Sequence, residues 1–144
     1  MRINSEESIS VPIKTLPLQE CGQKDKKLIR SDADIKEAVN AWCRTYCFSC
    51  ISCQSAIEKY GHISEWDTSD VTTMAYLFKA KTNFNDDIRN WNVSAVTTME
   101  GMFQGAAAFN QPLEKWNVSA VTNMGGMFQG AAAFNQPLEK WNVS

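Results

Sequence analysis

The sequence predicts an α/β repeat protein: a solenoid of 25-residue coils, each a short parallel strand followed by a two-turn helix, with a capping helix at its N-terminal end. Three observations predict it. Trp66, Trp91, Trp116 and Trp141 stand 25 residues apart. The block from Trp91 to Lys115 and the block from Trp116 to Lys140 differ only at Thr98/Asn123 and Glu100/Gly125. Within each block the apolar residues fall at fixed registers, so a single unit cannot bury its own apolar face and must stack on the next.

The first element is the segment 1–31. Pro12, Pro17, serines and mixed charge dominate it without a sustained period, which predicts a disordered arm. It has no apolar stretch of the secretory kind, and no run in the chain approaches the ~18 apolar residues of a membrane span. The second element, 32–61, is the capping helix. Ser31, Asp32 or Asp34 can cap its start, with Glu37 in the first turn. Ile35, Ala38, Val39, Trp42 and Tyr46 make one apolar stripe, and the pattern can run to Tyr60 with Gly61 as its stop. Such a helix suits the open end of a repeat stack, whose first coil otherwise exposes its core.

The repeats fill 62–144. Ile88-x-x-Trp91-x-Val93 recurs as Leu113-x-x-Trp116-x-Val118 and Leu138-x-x-Trp141-x-Val143. Alternation across Trp-x-Val predicts a short strand, paired in parallel with its copies at about 4.8 Å. Val96, Met99, Met102 and Phe103 then fit one face of a two-turn helix. Thr97 and Glu100 have capping-box spacing, and Gly105 and Gly130 suit a left-handed stop. Phe109 is expected in the core. Asn85, Asn110 and Asn135 each follow the return-turn phenylalanine and predict an asparagine ladder. The methionine and phenylalanine rows (Met74, Met99, Met124; Phe78, Phe103, Phe128) read as core rather than as a ligand groove.

Charge excludes some functions. The net charge is −2 over 144 residues. No basic stripe gives nucleic acid or an anionic membrane surface a footprint. His62, the lone histidine, has no Ser or Asp motif around it and reads as a turn residue. No residue stands out as catalytic. Asp86-Asp87 replaces Gln111-Pro112 and reads as a solvated turn, since calcium wants six to eight oxygens. Asn92-Val93-Ser94 and its two copies match the glycosylation sequon, but Asp67 holds the same place in the first unit, so a short polar side chain is what the position requires.

Four of the five cysteines, Cys43, Cys47, Cys50 and Cys53, lie within eleven residues. The C-x3-C-x2-C spacing matches that used by radical-SAM enzymes for an iron–sulfur cluster, and four thiolates could close a zinc site. Against both, the segment lacks the Gly or Pro that lets a loop wrap a cluster, and all four sulfurs crowd one short stretch. On a helix, Cys43, Cys47 and Cys50 fall on one face beside Trp42 and Tyr46, as buried structural thiols do. The reading is therefore no metal and no cofactor, with a metal-binding or iron–sulfur protein as the alternative.

The unit W-N-V-S-x-V-T-x-M-x-x-M-F-x-G-A-x-x-F-N-x-x-L resembles the repeats of the BspA-like leucine-rich-repeat surface proteins. Trp91, Val93, Ser94, Val96, Thr97, Met99, Met102, Phe103, Ala106, Phe109, Asn110 and Leu113 carry the match, and the same set recurs one period later. The resemblance spans about Tyr60 to Ser144, and the Asp34–Cys43 segment with Tyr60-Gly61-His62-Ile63 is similar to the helical lead-in of some members. It implies an LRR-like right-handed solenoid, placed at a cell surface or secreted, acting in adhesion or protein–protein contact. The outward residues Glu114, Lys115 and Asn117, with their equivalents, are then the expected binding face. The chain departs from the pattern in lacking a signal peptide and in stopping after a strand at Ser144. That stop predicts a fragment of a longer array, or end-to-end self-association through Phe134, Leu138, Trp141 and Val143.

Overall fold

The computed structural model describes residues 29–44 and 51–143, without the side chains of Ile29 and 51–55. The expected arm lies outside the described residues except for its last three, which form strand β1 (Ile29–Ser31). Helix α1 (Ile35–Arg44) and helix α2 (Ile51–Tyr60) follow, then a 3-10 turn (Ile63–Glu65) and strand β2 (Asp67–Asp70). Gly61 ends α2 at φ 70° and donates back to Ile57 O at 2.7 Å, as a left-handed stop should. Tyr46 lies outside the described residues.

Helix α1 buries Ile35, Ala38, Val39 and Trp42 in the same core as the first repeat unit. Trp42 meets Trp66 edge-on at 6.4 Å, and its indole donates to Asp86 at 2.8 Å. Tyr60 and Lys59 on α2 both donate to Glu37 on α1, at 2.6 and 3.1 Å. These two hydrogen bonds, Tyr60's first, hold the Glu37 carboxyl below its usual range. Strand β1 pairs in parallel with β2, Ile29 opposite Asp67. Arg30 fixes that strand: it is buried between the rings of Tyr60 and Trp66, 5.4 Å from each, and its guanidinium meets Asp34 at 3.0 Å.

Beyond β2 the repeat units lie on one another in register. Met74, Tyr76, Phe78 and Ala80 donate their N–H groups to the carbonyls of Thr98, Glu100, Met102 and Gln104. Met99, Gly101, Phe103 and Gly105 donate likewise to Asn123, Gly125, Met127 and Gln129. Along this segment each unit turns a row of carbonyls toward the preceding unit and a row of N–H groups toward the following one. The Trp indoles run the opposite way, to the preceding unit: Trp91, Trp116 and Trp141 donate to Ile63, Ile88 and Leu113 O at 2.8, 3.2 and 2.9 Å. The asparagine ladder is present, Asn110 N to Asn85 Oδ1 and Asn135 N to Asn110 Oδ1, both at 2.9 Å.

The interior of the unit differs from expectation in two places. Val96 to Phe103 is not a two-turn helix. The chain there makes two successive turns, Met102 N to Met99 O and Ala106 N to Phe103 O, with Gly101 and Gly105 at positive φ of 54° and 73° in the third position. A type II turn requires that conformation there. Every second N–H leaves for the next unit, so no i to i−4 ladder can form. The supposed capping box is used otherwise: Thr97 Oγ1 donates to Thr72 O at 3.2 Å, and Glu100 accepts from Tyr76 and from Asn123. Trp91-x-Val93 is buried as expected but is not a strand. Parallel bridging occurs further on, at Thr73, Thr98 and Asn123.

Two phenylalanine columns run along the core. Phe78, Phe103 and Phe128 stack at 5.3 and 5.6 Å; Phe84, Phe109 and Phe134 stack at 5.7 and 5.9 Å. Parallel rings at those centroid distances add about 0.5–1.5 kcal/mol per pair beyond burial.

Asp32 takes the place that a preceding unit would fill. Thr97 sends its N–H and hydroxyl to Thr72 O, and Thr122 does the same to Thr97 O. Thr72, having no unit before it, sends both to the Asp32 carboxylate, which also accepts from Thr73 N at 3.1 Å. Burial opposes the Asp32 charge, yet the hydrogen bonds from Thr72 and Thr73 outweigh it and hold the carboxyl below its usual range. A lowered folded-state pKa means stability that is present above the unfolded value of about 3.9 and lost as pH falls through the lower folded value. Asp32→Ala is therefore expected to cost about 1 kcal/mol at neutral pH, the carboxylate being exposed. Urea unfolding of both proteins at pH 7 and pH 3 checks it, with the gap narrowing at the lower pH.

Candidate binding face

The residues predicted to face outward are solvent-accessible, on the segment either side of each Trp. Lys115 and Asn117 are exposed and Glu114 half-exposed. The periodic equivalents are Arg89 and Glu139, Asn90 and Lys140, and Asn92 and Asn142. Glu114 lies 3.7 Å from Lys140 in the next unit, a contact between exposed side chains that contributes little to stability. Arg89 turns instead to Asp87, at 2.8 Å. Asp87 is held below the usual carboxylate range, first by the side-chain hydrogen bond from Arg89. The face therefore changes from Arg89 in the second unit to glutamates in the next two.

Asn117 is partly committed to the fold. Its Oδ1 accepts from Ser119 N at 3.2 Å, as Asn92 accepts from Ser94 N at 3.1 Å and Asp67 from Ser69 N at 3.0 Å. Asp and Asn share only the acceptor oxygen, which explains why Asp67 can stand in the first unit. The sequon positions are turn-forming positions.

His62 caps the 3-10 turn, accepting from Ser64 N at 3.3 Å, and packs edge-on against Trp42 at 4.9 Å. Cys43 is a half-buried free thiol packed against the core. Burial pushes its pKa up to about 12, with Lys81 lowering it and Asp86 raising it further. A thiol held neutral at pH 7 is a poor nucleophile. Cys47, Cys50 and the Cys53 side chain lie outside the described residues. Among the described residues no three His, Cys, Asp or Glu converge as metal ligands. Cys43 is expected to alkylate with iodoacetamide at pH 8 at least about 100-fold more slowly in the folded protein than in urea, given an ordinary thiol pKa of about 8.5. Peptide mapping by mass spectrometry reads that ratio.

Two features escaped the sequence reading. Asp32 reads as one of three helix caps, and only the fold reveals the threonines it serves. Tyr76 holds φ 58° where the next units have glycine, and its ring lies over Gly101. Its hydroxyl donates to Glu100, which raises the phenol pKa, and Lys79 sits 5.0 Å above the ring.

The stacked units and the outward rows they generate define a repeat protein that presents a periodic lateral surface. The family model described as "Mycoplasma protein of unknown function, DUF285" matches residues 47–144, and the chain belongs to that family. No curated protein and no solved structure matches the chain. No described helix is long and apolar enough to cross a membrane.

Proposed function

We propose that this chain is a non-enzymatic recognition or adhesion scaffold, built as a BspA-like leucine-rich-repeat module with an LRR-like right-handed solenoid. Its partner is a protein or other surface ligand met by the lateral row of Glu114, Lys115, Asn117 and their equivalents. One observation carries the reading: units joined through their main chains at a fixed register set out one row of outward side chains per unit, identical in the last two, Glu114, Lys115 and Asn117 and then Glu139, Lys140 and Asn142. Extended periodic surfaces of that kind suit contact with large partners. The use of polar groups supports it too. Asp32, Glu37 and Glu100 are each engaged in tying one element to another.

Beads coated with the whole chain provide the test, with adherence to host-cell monolayers as the readout. Wild-type beads are expected to adhere, and beads carrying the triple variant Glu114→Ala, Lys115→Ala, Asn117→Ala to lose most of that adherence with unchanged thermal unfolding. Equal adherence of the two, or none by either, overturns the proposal.

A further inference from the structure

A small group of side chains gathers where the first repeat unit lies on the second. Tyr76 donates its hydroxyl to one oxygen of the Glu100 carboxylate, and Asn123 Nδ2 donates to the other at 3.1 Å. The Tyr76 ring lies over Gly101, with Lys79 Nζ 5.0 Å from the ring centroid. Tyr76 is 41% exposed and Glu100 is half-exposed.

The repeat itself singles this group out. The blocks 91–115 and 116–140 differ only at Thr98/Asn123 and Glu100/Gly125, and Glu100 and Asn123 meet here. Tyr76 stands where the later units carry Gly101 and Gly126, and Lys79 where they carry Gln104 and Gln129. The first unit accepts backbone strain for that ring: φ is 58° at Tyr76, against 54° and 63° at the two glycines. An aromatic residue in the left-handed region persists only where its surroundings fix it, and such residues cluster at functional sites. Stacking does not require the group. Met74, Tyr76, Phe78 and Ala80 join the first unit to the second through their N–H groups, and Met99, Gly101, Phe103 and Gly105 join the second to the third by the same bonds, with glycine in the tyrosine's place.

The group offers a fixed carboxylate beside an aromatic face. An ionised carboxylate has about four lone-pair positions, and Tyr76 and Asn123 take one on each oxygen. Among the described residues no cation pairs with Glu100. Lys79 sets its ammonium over the ring, which shows that the ring's face accepts a cation, but leaves the carboxylate unpaired. One arginine side chain serves both parts at once. Its methylene stem covers the ring while its planar fork matches two carboxylate oxygens. A lysine ammonium is a point charge and lacks that fork.

We propose that Tyr76, Glu100 and Asn123 form a binding site for an arginine side chain of a partner protein, with Lys79 as the chain's own competing cation. The proposal does not depend on the row of Glu114, Lys115 and Asn117.

The probe is the blocked peptide acetyl-Gly-Arg-Gly-amide, titrated into the whole chain at low salt and followed by amide NMR. The same peptide with lysine, and with the neutral isostere citrulline, in place of arginine provides the controls. The arginine peptide is expected to shift the amides of Tyr76, Glu100, Gly101 and Asn123 saturably. The lysine peptide is expected to bind about threefold or more weakly, and the citrulline peptide not to bind. Each variant installs the residue that another unit carries at that position, so the fold is kept. Tyr76→Gly and Glu100→Gly are each expected to weaken arginine binding about tenfold or more. Lys79→Gln is expected to tighten it, by removing the competing cation. No saturable shifts, equal binding of the three peptides, or undiminished binding by Tyr76→Gly or Glu100→Gly overturns the proposal. Weaker binding by Lys79→Gln overturns it too, as do shifts confined to Glu114, Lys115 and Asn117, which would place the arginine on the lateral row.

Discussion

Replacing Trp91 by alanine is expected to destabilise the protein by about 3–5 kcal/mol. The side chain is 3% exposed, lies 5.9 Å from both Trp66 and Phe78, and donates to Ile63 O at 2.8 Å. Alanine removes the packing and the donor together. Trp91→Phe separates the two losses. It keeps most of the apolar volume and leaves a buried carbonyl without its partner, at about 1–3 kcal/mol. Trp141→Ala provides the internal comparison. It removes the same residue from the same sequence context, yet the side chain is only half-buried and no further described unit lies over it. Its cost is expected to be well under that of Trp91→Ala. Urea unfolding of the three variants measures this order. Equal costs for Trp91→Ala and Trp141→Ala would mean that the units do not cover one another.

Gly101→Ala is the second change expected to have a large effect. Gly101 has φ 54°, and an added Cβ would lie 2.4 Å from Cε1 of Tyr76 and 2.5 Å from Cδ1. The backbone term alone is about 1–2 kcal/mol for an L-residue in the left-handed region. The ring must also leave its place, which breaks the Tyr76–Glu100 hydrogen bond and uncovers the turn. Gly105→Ala isolates the backbone term, since φ is 73° there and the nearest atoms stand at 3.7 Å, ordinary contact. The expected result is a loss for Gly101→Ala clearly larger than for Gly105→Ala. Adding Tyr76→Gly should recover part of it, by relieving both the clash and the strained φ 58° of Tyr76 itself. Thermal unfolding of the single and double variants reads the coupling.

The parts legible in the sequence are those set by the period. Trp91, Val93, Met99, Phe103, Phe109 and Leu113 are buried as their register requires, and Asn85, Asn110 and Asn135 form the expected ladder. The stripe of α1 and the stop at Gly61 are local signals, and both appear. The turn region misled because apolar spacing of three, three and one fits a helix face and a pair of consecutive turns equally well. Gly101 and Gly105 held the deciding signal. Two glycines in one short helix would cost about 1 kcal/mol each, whereas as third residues of turns they relieve strain. The strand was misplaced for a different reason. Alternating burial in Trp-x-Val requires only that side chains point in and out, and says nothing about where main-chain partners lie. Parallel main-chain pairing between units falls elsewhere, from Thr73 to Thr98 and from Thr98 to Asn123. Of the outward row, the exposure of Lys115 and Asn117 followed from the register, but the turn bond that occupies Asn117 Oδ1 did not.

Amide hydrogen exchange, resolved by residue in the whole chain, tests the stacking most directly. The amides of Met99, Gly101, Phe103 and Gly105 bond to the next unit, and those of Met124, Gly126, Phe128 and Gly130 occupy the same places in a nearly identical sequence without that bond. The account predicts strong protection in the first set and weak protection in the second, after correction for intrinsic rates. Equal protection in the two sets, or the continuous protection of a helix across residues 96–103, would contradict it.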